Sequence, residues 1–226
     1  MELVSNSLTD QAPIAEKFAF AVIDPDNHVA LSSNINPHLA WKGEPPGTRS
    51  FAVICHDPDV PSAGDDVNQE DREVPADLPR VDFYHWTLFD IPADQSEIME
   101  GSHCQGVTPR GKSGPSAPQG LRHGLNDYTS WFAGDGDMEG DYFGYDGPCP
   151  PWNDSIVHRY VFTVYALDVD KLPVADDMSG GAIVAALEGH VLDKASITVS
   201  YTLNPRLADC TCHVQTRKRP LSRPFL

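Results

Sequence analysis

Two nearly unbroken apolar, β-branched runs limit the fold most: "SFAVIC" (Ser50 to Cys55) and "YVFTVYAL" (Tyr160 to Leu167). Such runs suit central strands covered on both faces, or the inner sheet of a sandwich. "SITVSYTL" (Ser196 to Leu203) reads differently. Its Ile197, Val199, Tyr201 and Leu203 alternate with Ser and Thr, the signature of a half-buried strand with one wet face. "FYHWTLFDI" (Phe83 to Ile91) and "AFAVI" (Ala19 to Ile23) are further predicted strands. One helix is predicted over "GAIVAALEGHVL" (Gly181 to Leu192), with Ser179 as its N-cap. Twenty prolines and seventeen glycines punctuate the rest and predict many loops. The expected fold is mainly β, a two-sheet β-sandwich with a few short helices, one near the C-terminus. A doubly wound α/β fold would need alternating helices that this pattern lacks. No GxGxxG follows a strand, and GxxxxGK[ST] and GxSxG are absent, so the common nucleotide and hydrolase fingerprints are missing.

A chain of 226 residues can bury a substantial core as one domain, and 40% apolar content fits a soluble, globular class. No run of about 18 apolar residues predicts a membrane span. The opening MELVSNSLTDQAP lacks the basic and apolar regions of a secretory signal. The net charge of -17 argues against nucleic acid, whose phosphates demand a basic face, and against docking on anionic lipid by charge alone. The acidity is densest at Gly64 to Asp82, where it supports solubility. Five cysteines, an odd count with no visible signal, read as reduced thiols of a cytoplasmic protein. Cys210 and Cys212 form a CxC pair near His213, but no second pair at matching spacing completes a zinc site. Two ordinary thiols are the better reading. The basic "RKRPLSRPFL" tail is either loosely ordered or covers a partner.

Three segments carry candidate chemistry. In "CHDPDVP" (Cys55 to Pro61), Asp57 and Asp59 flank Pro58, which fixes its own φ and biases Asp57 towards extended geometry. They are either site carboxylates or caps of a tight turn. His85, inside an aromatic strand, is either a ligand or a satisfied core residue. His158 and Arg159 open a strand eleven residues after the start of the stiff "GPCPPW" loop. Arg159 offers a planar fork for phosphate or carboxylate, and His158 a donor or a proton; a structural ion pair for Arg159 is the alternative.

Taken together, these segments resemble the phosphatidylethanolamine-binding protein family, in its bacterial and archaeal, Raf-kinase-inhibitor-like branch. "NINPHLAWKGEPPGTRSFAVICHDPDVP" (Asn34 to Pro61) resembles that family's long N-terminal signature, and "FYHWTLFDIPAD" its HW strand. "GYDGPCPP" resembles its tyrosine-glycine-proline loop, and "HRYVFTVYALD" its HRY strand. "ALEGHVLDKASITVSYTL" resembles its closing helix and strand. The resemblance implies a β-sandwich with a small cavity for phosphate-like anions. Asp57 matches the first Asp of the DPD motif, Pro61 its closing proline, and His85 the cavity histidine. Tyr145, Gly147, Cys149 and Pro150 fall on the loop, and His158 and Arg159 on the HR pair. On this basis the loop is expected to supply a stiff rim of N–H donors, with His158 as a donor beside it. Asp57 or Asp59 would orient a histidine ring or accept an ammonium group.

Two segments depart from the family pattern: an acidic insertion, Ser62 to Asp82, and a second addition, Ser130 to Gly140. Both are expected to flank the cleft mouth and to set what enters. The glycine-rich approach to the HR pair is replaced by "WNDSIV". The expected function is non-enzymatic binding of phosphate or a phosphorylated small molecule or lipid head group, with no cofactor or metal. A protein partner and a homodimer are implied by the resemblance alone. An inhibitor of a protease or kinase acting through surface loops is the alternative, and a small hydrolase a further one. A phosphate between two imidazoles raises their pKa values, so binding is expected to tighten as pH falls towards about 6.

Overall fold

The computed structural model describes residues 1–174 and 178–208. Cys210, Cys212, His213 and the basic tail lie outside the described residues. The strands in chain order are β1 (Glu2–Val4), β2 (Ala12–Pro13), β3 (Ala21–Asp24), β4 (His28–Leu31), β5 (Leu39–Lys42) and β6 (Ser50–Pro61). They continue with β7 (Arg80–Pro92), β8 (Glu97–Ile98), β9 (Arg122–His123), β10 (His158–Leu167) and β11 (Val191–Tyr201). The short helices α1 (Tyr128–Trp131) and α2 (Gly180–Ala186) interrupt the second half.

The large sheet has the order β2-β11-β10-β6-β7-β9, which places both apolar runs at its centre. Alternate residues of β6 serve opposite cores. Phe51, Val53 and Cys55 join one cluster, while Ala52 and Ile54 join the other. That double demand explains why the run is apolar throughout. The first core is closed by the small sheet β1-β5-β8, through Leu3, Leu39, Trp41 and Ile98. These are the two layers expected of a sandwich. Ile183 and Leu187, from α2 and its C-terminal end, cover the opposite face.

Several expected boundaries move. The helix predicted to reach Leu192 stops at Ala186, because Gly189 adopts φ +82 and turns the chain. Glycine in the left-handed region is a common helix stop. Val191 then pairs with Leu167 and begins β11, five residues before the predicted strand start. Ser179 does cap α2, its Oγ accepting from the Ala182 N–H at 3.3 Å. The early strand begins at Ala21 rather than Ala19. The largest difference concerns β6, which runs six residues past Cys55 to Pro61. Asp57 and Asp59 therefore sit in a strand, although Asp57 Oδ1 also accepts the Asp59 N–H at 2.8 Å, as a turn cap would.

The β6–β7 ladder is broken at two places that shape the site. Cys55 pairs with Trp86 and His56 with Tyr84, which leaves His85 as an extra, unpaired residue. Asp57 pairs with Phe83 and Val60 with Val81, so Pro58 and Asp59 together oppose Asp82. Bulges re-aim side chains, and a proline without an N–H is tolerated in one. In a regular strand Asp57 and Asp59 would share a face; the second bulge separates them.

Candidate functional site

At the end of the large sheet where these bulges lie, β6, β7, β10, α1 and the loops enclose a cavity of about 200 Å³. Asp57, Pro61, His85, Cys149, Pro150 and His158 line it. Phe83, Tyr128, Trp131 and Tyr160 supply aromatic walls, and Ser62, Ala63, Gly64, Val67 and Asn68 come from the acidic insertion. Asp59, Tyr145, Gly147 and Arg159 are not in the lining. Arg159 instead grips Asp59 in a fork, Nε to Oδ2 at 2.9 Å and Nη2 to Oδ1 at 2.7 Å. Burial would raise the Asp59 pKa, but the Arg159 hydrogen bonds and charge outweigh it and hold the carboxyl below its usual range. Tyr145 is buried with its hydroxyl donated to Phe18 O at 2.6 Å. Gly147 passes so close to the chain that an added Cβ would lie 2.0 Å from Phe18 O. Both residues build the loop beneath the cavity.

His158 is fully buried between two carboxylates. Nδ1–H donates to Asp57 Oδ2 at 2.7 Å and Nε2–H to Asp154 Oδ2 at 3.0 Å. Carboxylates only accept, so both ring nitrogens carry protons. Burial pushes this imidazole down, but the bonds to Asp154 and Asp57 prevail and raise its pKa to about 9. Arg80 completes the row, donating to Asp154 from Nη1 at 2.6 Å and from Nη2 at 3.1 Å. The free donor expected at His158 is therefore absent, since both N–H groups are already engaged.

His85 is held differently. Its Nδ1–H donates to the Asp146 carbonyl at 2.8 Å, and its own carbonyl accepts the Asp146 N–H at 3.0 Å. Burial lowers its pKa against the raising influence of Asp57, so the ring is neutral near pH 7 with Nε2 as an acceptor. No described residue hydrogen-bonds Nε2. Asp146 is itself fixed by Asn34 at 2.7 Å, Asn126 at 2.8 Å and Lys112 at 2.7 Å. Asn34 Oδ1 also takes the Gly147 N–H at 2.8 Å, so that loop donor is spent inward rather than on the rim. Tyr160 is fully buried with its hydroxyl beside Asp57, and burial first, then the Asp57 carboxylate, keep it protonated with a pKa well above its usual value. Burial pushes the Cys149 thiol up to about 12, which disfavours its thiolate near neutral pH. Among the described residues, no group of three or more His, Cys, Asp and Glu converges to hold a metal.

The family model for phosphatidylethanolamine-binding proteins matches residues 4–202. The chain belongs to that family. It is 30% identical over 202 residues to the UPF0098 protein YbhB of Escherichia coli K12, across 89% of this chain and 100% of YbhB. It is 33% identical over 177 residues to a UPF0098 protein of Methanothermobacter thermautotrophicus, covering 78% of this chain and 89% of that one. The crystal structure of E. coli YbcL, described as a new member of the mammalian PEBP family, aligns with a TM-score of 0.64 at 27% identity. That alignment covers 89% of this chain and 97% of YbcL. A phosphatidylethanolamine-binding protein fold is a binding-protein fold, and none of these relatives is named as an enzyme. No described helix is long and apolar enough to cross a membrane.

In this family member, residues that carried no signal in isolation do much of the positioning. Asp154 and Asn153 lie in "WNDSIV", which also departs from the family pattern, and Arg80 lies near the end of the acidic insertion. These two departures hold each other. Asn153 Nδ2 donates to the carbonyls of Asp66 (2.8 Å), Gln69 (3.1 Å) and Arg72 (3.0 Å), and its Oδ1 accepts the Asn68 N–H at 2.9 Å. A pair of adjacent departures, one acidic loop and one Asn-Asp step, was the available clue.

Proposed function

We propose that the cavity binds a small tetrahedral oxyanion, inorganic phosphate or a phosphorylated head group, and does not turn it over. The observation that carries this reading is His85, locked through Nδ1 and open at Nε2. An entering anion favours the protonated ring, which then donates to the ligand from Nε2 while keeping its bond to Asp146. The row Arg80, Asp154, His158 and Asp57 contains two cations and two carboxylates, so it sets no net charge against an anion. A volume of about 200 Å³ suits a head group and falls below the roughly 300–1,000 Å³ of drug-sized pockets.

Calorimetric titration of inorganic phosphate and phosphoethanolamine near pH 6 tests this. The expected result is saturable binding to the native chain that weakens about 10- to 100-fold in His85→Ala, the cost of one charge-assisted hydrogen bond. Circular dichroism should show the variant folded. Absence of binding to the native chain would overturn the reading.

A further inference from the structure

We infer that the basic C-terminal segment "RKRPLSRPFL" (Arg217 to Leu226) docks back onto its own chain, in a second groove that shares no lining residue with the cavity. The groove has a volume of about 170 Å³ and is walled by Pro13, Ile14, Ile23, Val157, Tyr201 and Ala208. Ala208 is the last described residue, so the chain leaves from the groove wall itself.

The groove and the segment match in polarity and in charge. Ile23, Val157 and Tyr201 are only half-buried, and the Tyr201 hydroxyl donates to Ala21 O at 2.9 Å, which leaves its ring as an apolar wall. Leu221 and Phe225 supply apolar side chains to cover such walls. Glu16 also lines the groove. Its neighbour Lys17 is spent on Glu100, and among the described residues no cation pairs with the Glu16 carboxylate. The chain carries a net charge of -17, yet four of its sixteen Lys and Arg residues lie between Arg217 and Arg223. An acidic surface attracts that block.

Backbone chemistry and tether length favour the chain's own segment over a foreign one. Pro220 and Pro224 fix their own φ and bias Arg219 and Arg223 towards extended geometry, so less freedom is lost on entering a groove. Twelve residues lie between Ala208 and Leu221, a tether that holds the segment at an effective concentration of about millimolar. A second copy or another basic peptide has to compete with that. Docking also braces the strand end that carries the His158 row. Val157 precedes His158, Tyr201 is the β11 partner of His158, and Asn204 Nδ2 donates to Asp154 O at 2.8 Å.

The test combines carbodiimide crosslinking with hydrogen exchange on the full chain, on the double variant Leu221→Asp/Phe225→Asp and on Glu16→Gln. Carbodiimide joins a carboxylate to an amine in contact with it, and Lys218 is the one lysine of the segment. The expected product is a Glu16–Lys218 link within a single chain, lost in the double variant. Exchange at 156–158 and 201–204 should quicken about 3- to 30-fold in the double variant and less in Glu16→Gln, with β7 and β9 unchanged. A Lys218 link only to the acidic insertion, or only to a second chain, would overturn the inference. So would exchange at the groove that the double variant leaves unaltered.

Discussion

Replacing Asp154 with alanine should lower the unfolding free energy by about 3–5 kcal/mol, as expected when one partner of a buried ion pair is removed. One buried and one partly buried cation depend on this carboxylate: His158 through Nε2 and Arg80 through both terminal nitrogens. Alanine removes the carboxylate from both, leaving His158 with Asp57 alone and Arg80 with the carbonyls of Asp59 and Pro75. The pH dependence separates this mechanism from a simple cavity. His158 titrates at about 9 in the folded chain against 6.5 for the free side chain. Its contribution is fully present below about 6.5 and is lost as pH rises through 9, a change of about 3 kcal/mol. His103 and His123 are lowered to about 4 and about 3, chiefly by burial, and act in the opposite sense only below about 6.5. Denaturant unfolding between about pH 6.5 and 9 should therefore show the native chain weakening with pH. In Asp154→Ala the slope should be shallower, because one of the two acceptors holding the proton is gone. Equal slopes in the two proteins would contradict the clamp.

Asn153→Ala should free the acidic insertion from the cavity mouth. The Asn153 side chain joins four backbone groups between Asp66 and Arg72, two amide N–H donors being shared among three carbonyls. Counted as two N–H donors and one oxygen, at about 0.5–1.5 kcal/mol each, the local loss is about 1.5–4.5 kcal/mol. The backbone of residues 68–74 keeps some support, because Val74 N–H also donates to Asn153 O at 3.1 Å and Ser155 N–H to Val74 O at 3.3 Å. Hydrogen exchange should accelerate across 66–72 by roughly 30- to 1,000-fold, with the β6–β10 ladder unchanged. Uniform acceleration over the whole chain would mean that Asn153 supports global stability rather than the acidic insertion.

The central strands were legible because both cores draw on β6 and β10, so every position carries an apolar demand that shows as an unbroken run. The helix end was misjudged because Gly189 sits inside a periodic apolar pattern, and only its positive φ reveals the stop. The site was legible in part. His85 and Asp57 stand out by residue type, and both reach the cavity. Neither sequence spacing nor residue type indicates that the bulge at Pro58 turns Asp59 away to Arg159, or that His158 spends both donors on Asp57 and Asp154. Asp146 and Asn34 were visible only as members of motifs. Their roles, fixing the carbonyl that orients His85, arise from contacts between residues 112 positions apart.

The most direct test of the cavity's chemistry is the affinity for inorganic sulfate measured from about pH 8 down to 5.5. Sulfate is a tetrahedral dianion that does not titrate in this range, so any pH dependence belongs to the protein. His158 stays protonated throughout, and His85 is neutral at the upper end. The account predicts that affinity rises by up to about tenfold per unit as pH falls, with uptake of one proton, and levels off below the lowered pKa of His85. An affinity that is flat from about pH 8 to 5.5 would contradict proton-coupled anion binding at His85.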